Sequence, residues 1–341
     1  MSETITTLEQ VEMDWTGFFD YAKLVEEEIA EYAQIEVTPQ LREGGVHAHK
    51  AWDFYFRYLQ QTWQTSYDRE LLAAAQEFAQ PRILSLGCGY GGIELAIARQ
   101  LQAKGMDYRL VGLDLNPGLF TQAIATAKAE NLNIKFQAVD LNFLGLAAHS
   151  FDLVCAHASL HHMLNLEHLF AQVYQALVPE GKLIVLDIIG ETQTLFWREN
   201  VEFALAVIEQ MPAKYKQNLQ SLPKYNPPAL QVGMEGIRQA EVEEQICRYF
   251  IPERLFKYGA FMRLICTHPQ IGAAIKPQVP EDRLYLESLC ALDQAQIQSG
   301  NLRATEMMGV FTKKPDAPRY HNGASLLAVL RSQFEKLKRM G

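Results

Sequence analysis

The sequence predicts an α/β fold: a doubly wound, mainly parallel sheet with an N-terminal helical cap and a late helical insertion. Three observations predict it. Short apolar runs alternate with helix-like stretches from Pro81 to Gly190. The first strand-to-helix junction, LSLGCGYGG (84–92), is almost bare of side chains. The next two apolar runs each end on a carboxylate, Asp114 and Asp140.

Before this core, FFDYAKLVEEEIAEYAQIE (18–36) carries Phe18, Tyr21, Leu24, Val25 and Ile29 at helical spacing. REGGVHAH (42–49) reads as a loop, and residues 50–79 as one or two aromatic-rich helices. The core then reads in order. RILSLG (82–87), YRLVGLDL (108–115), IKFQAVDL (134–141), FDLVCAHA (151–158) and KLIVLDIIG (182–190) are strands. GIELAIARQL (92–101), GLFTQAIATAKAENL (118–132) and LEHLFAQVYQALV (166–178) are helices, the last stopped by a turn at PEG (179–181). Strands this uniformly apolar are covered on both faces, and strand–helix alternation closed by short turns makes a parallel, Rossmann-like sheet. After Gly190 the rhythm breaks. Residues 192–220 read as helical, and SLPKYNPPALQVG (221–233), with three prolines, as a loop or flap. ICRYFIPERLFKYG (246–259) contains a strand, DRLYLESLCALDQAQIQ (282–298) is a helix, and ATEMMGVFTKK (304–314) is a final strand. A linker at 314–323 leads to an amphipathic helix at 324–340.

The bulk properties narrow the function. The chain has 341 residues, enough for one large domain with insertions or for two. With 48% hydrophobic and 21% charged residues it buries a sizeable core. No apolar run approaches the roughly 20 residues of a membrane span, so no stable membrane insertion is expected. The polar, acidic N-terminus lacks the features of a secretory signal. The five cysteines are scattered without a CxxC pair, which fits a reduced, cytoplasmic protein better than a disulfide framework or a zinc site. A net charge of −9 argues against a nucleic-acid partner.

Gly87, Gly89 and Gly91 sit where the chain turns from strand to helix. Glycine there permits a sharp turn and lets a ligand approach the backbone, while the helix N-terminus directs free N–H groups at it. GCGYGG also satisfies GxGxxG, which alone is a weak dinucleotide signal; a ligand-free tight turn is the other reading. Asp114, 23 residues after Gly91, can accept both hydroxyls of a ribose, as in nicotinamide dinucleotide and S-adenosylmethionine sites. Asp140 can receive the exocyclic amine of an adenine. Either aspartate alone could cap a turn; three successive strand ends carrying glycines, Asp and Asp form a stronger pattern.

LSLGCGYGG, VGLDLNPGLF, QAVDL, FDLVCAHASLHHM and QALVPEGKLIVLD together resemble class I S-adenosylmethionine-dependent methyltransferases over about residues 81–190. The later segments MEGIRQAEVEEQI (234–246) and KYGAFMRLI (257–265) are more loosely similar to a bacterial subgroup of small-molecule methyltransferases. The resemblance implies that S-adenosylmethionine is the cofactor and divides the chain into a cap or lid (1–80), the cofactor-binding core (81–190), a helical insertion and flap (191–245), the end of the core sheet (246–314) and a linker with C-terminal helix (315–341). It implies that Gly87, Cys88, Gly89 and Gly91 contact the methionyl part, that Asp114 holds the ribose, and that Leu115 and Asn116 flank the adenine. Asp140 and Leu141 would sit at the adenine's amine edge and face, with His157 and Ala158 under the sulfonium. One departure is Ser85, where the family often carries an acidic residue; any role of that carboxylate falls to another group.

Methyl transfer is an in-line displacement for which the protein supplies alignment and dryness. A hydroxyl acceptor also needs a base, and His161, His162 and His157 follow the fourth strand. His161, on the LHH loop, is the first candidate and His162 the second; lining the pocket without catalysis is the other reading. Two adjacent histidines raise the question of a metal, but no acidic residue stands at a ligand spacing from them, so no metal is expected. Asp187 orients a substrate or caps a turn. Glu94, in the first turn of its helix, either disfavours a pyrophosphate there or simply points to solvent and favours the helix dipole. The acceptor is expected to be a small molecule, such as a secondary metabolite or glycan precursor, methylated on oxygen or nitrogen. It would be enclosed by WDFYFRYLQQTW (52–63), through Trp52, Tyr55 or Tyr58, with core packing the other reading for most of these rings, and by the 192–240 insertion. The C-terminal helix reads as docking on its own domain or on a second copy, as in a homodimer. Two alternative functions stand beside this one: an NAD(P)-dependent oxidoreductase, weakened by Glu94 where a pyrophosphate would lie, and a non-catalytic protein that kept the cofactor-binding fold.

Overall fold

Among the residues described by this computed structural model (5–7, 21–34, 50–193, 195–217, 219–226 and 233–318), seven strands pair into one sheet. They are β2 (Arg82–Leu86), β3 (Arg109–Asp114), β4 (Ile134–Ala138), β6 (Phe151–His157), β7 (Leu177–Ile188), β8 (Phe250–Tyr258) and β9 (Glu306–Lys313), in the order β4-β3-β2-β6-β7-β9-β8. Strands β4, β3, β2, β6 and β7 pair in parallel, and β9 runs antiparallel to both β7 and β8. The chain winds outward from β2 to β4 and then returns to the other side of β2. The carboxyl ends of β2 and β6 therefore flank the switch point, where an open α/β sheet has its crevice.

The period-two pleat sorts the core into two faces. Leu84, Leu86, Val154, Ala156, Leu183 and Val185 pack with helices Leu166–Ala176 and Val242–Tyr249. Their neighbours Ile83, Leu153, Cys155 and Ile184 pack with helices Tyr67–Ala75, Gly92–Ala103 and Thr121–Ala129. Both faces are covered, as the unbroken apolar runs require.

A third cluster lies beyond the sheet. The helix Lys50–Trp63 contributes Ala51, Trp52, Tyr55 and Leu59, which pack on Val201, Ala204 and Ile208 of helix Arg198–Gln210 and on Leu286, Leu289 and Cys290 of helix Pro280–Gln298. A buried polar hub fixes their arrangement. The Tyr55 hydroxyl donates to Asp293 Oδ2 at 2.7 Å and accepts from the Gly259 N–H, while Asp293 Oδ1 accepts from the Phe261 and Met262 N–H groups. Tyr55 is thus core, not a pocket residue.

Three elements differ from expectation. The PEG segment does not end a helix with a turn: the helix stops at Ala176, and β7 runs from Leu177 to Ile188, with a register shift against β6 between Phe151 and Leu153. The stretch 192–220 is divided, with helices Arg198–Gln210 and Ala213–Lys216 separated at Met211–Pro212. A small antiparallel pair, β1 (Ile5–Thr7) with β5 (Leu144–Leu146), has no period-two signature long enough to predict. The predicted loop at 42–49, the core of the flap (227–232) and the C-terminal helix at 324–340 lie outside the described residues. No helix among the described residues is long and apolar enough to cross a membrane.

Candidate active site

The loop after β2 takes left-handed backbone at Gly87, Gly89 and Gly91, with φ of 66°, 50° and 72°, but the three glycines serve different ends. A Cβ on Gly87 would lie 2.3 Å from the Ser159 Cβ, so the loops after β2 and β6 touch there. One on Gly91 would strike Ala123 and Phe136; this glycine lets helix and sheet pack and does not line the cavity. A Cβ on Gly89 would meet nothing within 4 Å. That open side faces a cavity of about 530 Å³, within the usual range for a small-molecule site.

The cavity wall takes in Gly87, Cys88, Gly89, Asp114, Leu115, Asn116, Asp140, Leu141, His157 and Ala158, with His161 and His162. The fold therefore gathers every expected cofactor residue except Gly91. Asp114 is partly buried, which raises its carboxyl above the ordinary value, against the opposing pull of the Asn116 and Gly89 N–H groups. Gly89 N–H donates to Oδ2 at 2.8 Å and Asn116 N–H to Oδ1 at 3.0 Å. Each oxygen keeps a further lone pair for a ligand hydroxyl. Asp140 likewise accepts one bond on each oxygen: Oδ1 from Asn142 N–H and Oδ2 from the Tyr21 hydroxyl at 2.7 Å. It thus ties the cap helix Tyr21–Gln34 to the sheet edge.

Glu94 does not face solvent. It is buried, with Oε1 accepting from the Ser85 hydroxyl at 2.6 Å and Oε2 without a hydrogen-bond partner among the described residues. Burial pushes its carboxyl up to about 7. A carboxyl does lie beside Ser85, but it sits beneath the loop and does not line the cavity. In the folded protein Glu94 holds its proton more tightly than the unfolded chain does. Its contribution to stability is therefore complete below about pH 4.5 and lost as pH rises through about 7. The Glu94→Gln variant is expected to be more stable than the parent at pH 8, by up to about 3 kcal/mol, with the gap closing toward pH 5. Urea titrations of both proteins across that range measure it; parallel profiles would refute the neutral buried acid.

At the other end of the cavity the short helix Leu160–His162 presents two imidazoles whose ring centres are 4.2 Å apart. Asp187, wholly buried at the end of β7, fixes the first. Its Oδ2 accepts from the Ser159 and Leu160 N–H groups, and its Oδ1 lies 2.7 Å from His161 Nδ1. Burial alone would raise the Asp187 carboxyl; the charge and hydrogen bond of His161 and the two N–H groups outweigh it and lower the net value. His162 Nδ1 lies 2.7 Å from Glu28 Oε1 of the cap helix. Burial pushes His162 down, but the Glu28 and Glu235 carboxylates outweigh it and raise the imidazole to about 9.

Sequence reasoning did not find Glu28, Tyr32 or Glu235. The insertion is clamped by Arg238, whose guanidinium makes two 2.7 Å bonds to Glu167 and a third to the Leu164 carbonyl. Met234 N–H donates to Glu28 Oε2 at 3.0 Å, joining insertion and cap. Glu235 is then held 3.6 Å from His161 Nε2 and 3.2 Å from His162 Nε2. The carboxylate that local spacing could not supply arrives from 73 residues downstream of His162. Trp52 and Phe56 line the cavity as well, with Arg263 lying 5.5 Å from the Trp52 ring and paired with Glu306. Tyr58 does not reach it.

Residues 83–181 match the sequence profile of a family described as "Methyltransferase domain". The matching part is 30% identical over 120 residues to the "Hybrid PKS-NRPS synthetase lepA" of Aspergillus flavus, covering 34% of this chain and 3% of that protein. It is 30% identical over 119 residues to the "Demethylmenaquinone methyltransferase" of Thermus thermophilus, covering 35% of this chain and 52% of that protein. The chain thus spans a small part of the first relative and about half of the second. Among solved structures, the PH0226 protein from Pyrococcus horikoshii is similar with a TM-score of 0.42 and 18% identity, over 83% of this chain and 99% of that one.

Proposed function

We propose that this chain is a methyltransferase that carries a methyl group from S-adenosylmethionine to an oxygen or nitrogen of a small molecule. One observation carries the reading: a single cavity joins Gly89 and Asp114 to His161, and Trp52, Phe56 and Glu235 close its far side. The open face of Gly89 and the remaining lone pairs of Asp114 fit the cofactor. When bound, S-adenosylmethionine supplies a methyl group already activated on a sulfonium. The chain supplies position and proton handling. Asp187 holds the His161 ring through Nδ1, which leaves Nε2 as the nitrogen that would take a proton from the acceptor. The cap helices and the insertion wall the cavity and favour a compact acceptor over a polymer. The two relatives are named for different activities, so they do not narrow the acceptor further.

The test is ligand-dependent stability. S-adenosylhomocysteine at about 100 times its Kd should stabilise the protein by about 2.7 kcal/mol, whereas NADH should leave the Tm unchanged. The reverse pattern would favour an oxidoreductase and remove the methyl-transfer reading. Incubation with labelled S-adenosylmethionine and fractionated metabolites then asks for turnover; binding with no labelled product would favour a non-catalytic role.

A further inference from the structure

The His161, His162 and Glu235 cluster has the construction of a metal centre. Both imidazoles have their Nδ1 beside a carboxylate, His161 on Asp187 and His162 on Glu28 at 2.7 Å each. Both Nε2 atoms then face the same third carboxylate, at 3.6 and 3.2 Å. For His161 the carboxylate behind the ring is the hydrogen-bonded arrangement that fixes ring orientation and strengthens a metal-binding imidazole; Glu28 lies close to His162 Nδ1 without hydrogen-bond geometry. The spacing agrees. Two ligands bound at about 2.0–2.1 Å to a tetrahedral ion lie roughly 3.3 Å apart. All three ligand atoms are within 4.8 Å of one another. They reach one point from two separate segments, the loop after β6 and the clamped insertion, so no short-range turn geometry accounts for the convergence. The Tyr32 hydroxyl is hydrogen-bonded to His162 Nε2 at 3.2 Å, a contact that an ion bound there would replace.

We propose that His161 Nε2, His162 Nε2 and the Glu235 carboxylate bind one first-row divalent transition ion, with a coordination position open to the cavity. Two histidines and one carboxylate with a free position form a catalytic set rather than a closed structural one. Such an ion would bind the acceptor oxygen and lower its pKa, taking over from the bare imidazole the task of producing a nucleophile. This role rests on the methyl-transfer reading; the binding of the ion does not. Asp187 and Glu28 are positioning residues, since they touch the histidines and not the ion.

The full chain, stripped with a chelator and titrated with Co²⁺, is expected to take up one equivalent with the visible bands of a low-coordinate Co²⁺–imidazole site. Glu235→Gln should weaken that binding at least about tenfold and alter the bands, and Glu28→Gln should weaken it about 10–100-fold while leaving their pattern. Glu235 is half-exposed, so its replacement spares the core; His162→Ala is the second variant, expected to abolish the bands. No saturable uptake, or uptake unchanged in all three variants, would overturn the site. Thermal shift with S-adenosylhomocysteine in chelator is read in parallel. A lost shift with intact Co²⁺ binding removes the methyl-transfer reading alone, and an intact shift without Co²⁺ binding removes the metal alone.

Discussion

Replacing Asp187 by alanine is expected to destabilise the protein by about 3–5 kcal/mol, a fall in Tm on the order of 10 °C. The carboxylate is wholly buried and accepts four hydrogen bonds: from the Ser159, Leu160 and Ile188 N–H groups and from His161. Alanine leaves three backbone donors and an imidazole nitrogen with no acceptor, in a place water does not reach. Each stranded donor costs about 1–3 kcal/mol, though not additively. The conservative Asp187→Asn variant separates stability from positioning. It keeps shape and one acceptor oxygen, so the turn after β6 persists, but the charge that holds the His161 ring is gone. Its kcat should fall about 10–100-fold with a much smaller change in KM. Steady-state kinetics and differential scanning calorimetry on the two variants decide the matter. An unchanged kcat in the asparagine variant would reduce Asp187 to a turn-capping residue.

That residue also shows how far the sequence could be read. Its place at the end of a strand was legible, because the apolar run of β7 stops there. That it holds His161 was not, because 26 residues separate the two and only the adjacency of β6 and β7 brings them together. The same division holds throughout the site. Gly89, Asp114, Asp140 and His161 follow strand ends, and a parallel sheet carries all its strand ends to one edge. Once the alternation is recognised, such residues can be placed without knowing how any side chain packs.

Glu28, Tyr32 and Glu235 come from segments outside the alternating core, and nothing local marks them. Glu28 is one of three successive glutamates on an amphipathic helix, and only the Met234 N–H and His162 distinguish it from its neighbours. The burial of Glu94 is not legible for a related reason. A carboxylate in a helix's first turn complements the dipole whether exposed or buried. Whether it is covered depends on Ser85 and on the packing of helix Gly92–Ala103 against the sheet. Among the rings of 52–63, helical spacing separates faces but does not say which face meets core and which meets cavity. The Asp293 hub takes Tyr55 inward and leaves Trp52 and Phe56 at the pocket.

Asp114→Ala should weaken S-adenosylhomocysteine binding by about 100-fold or more, the largest single loss expected from any cofactor-side residue. A hydrogen bond to a charged partner contributes about 1.5–3 kcal/mol, and a ribose offers two hydroxyls to one carboxylate. A second effect adds to this. Asp114 Oδ2 is the acceptor for the Gly89 N–H, so removing it also frees the backbone that would face the methionyl end. Asp114→Asn distinguishes the two contributions. The amide oxygen can still accept from Gly89 N–H and hold the loop, but the site loses its charge and one acceptor, so an intermediate loss is expected. Both variants should keep the parent's ligand-free Tm within a few degrees, because Asp114 stands at the cavity wall rather than in the core. Isothermal titration of the three proteins against S-adenosylhomocysteine gives the affinities directly. Equal affinities for parent and alanine variant would mean that the sugar is held elsewhere, and the assignment of this edge of the sheet to the cofactor would fall with it.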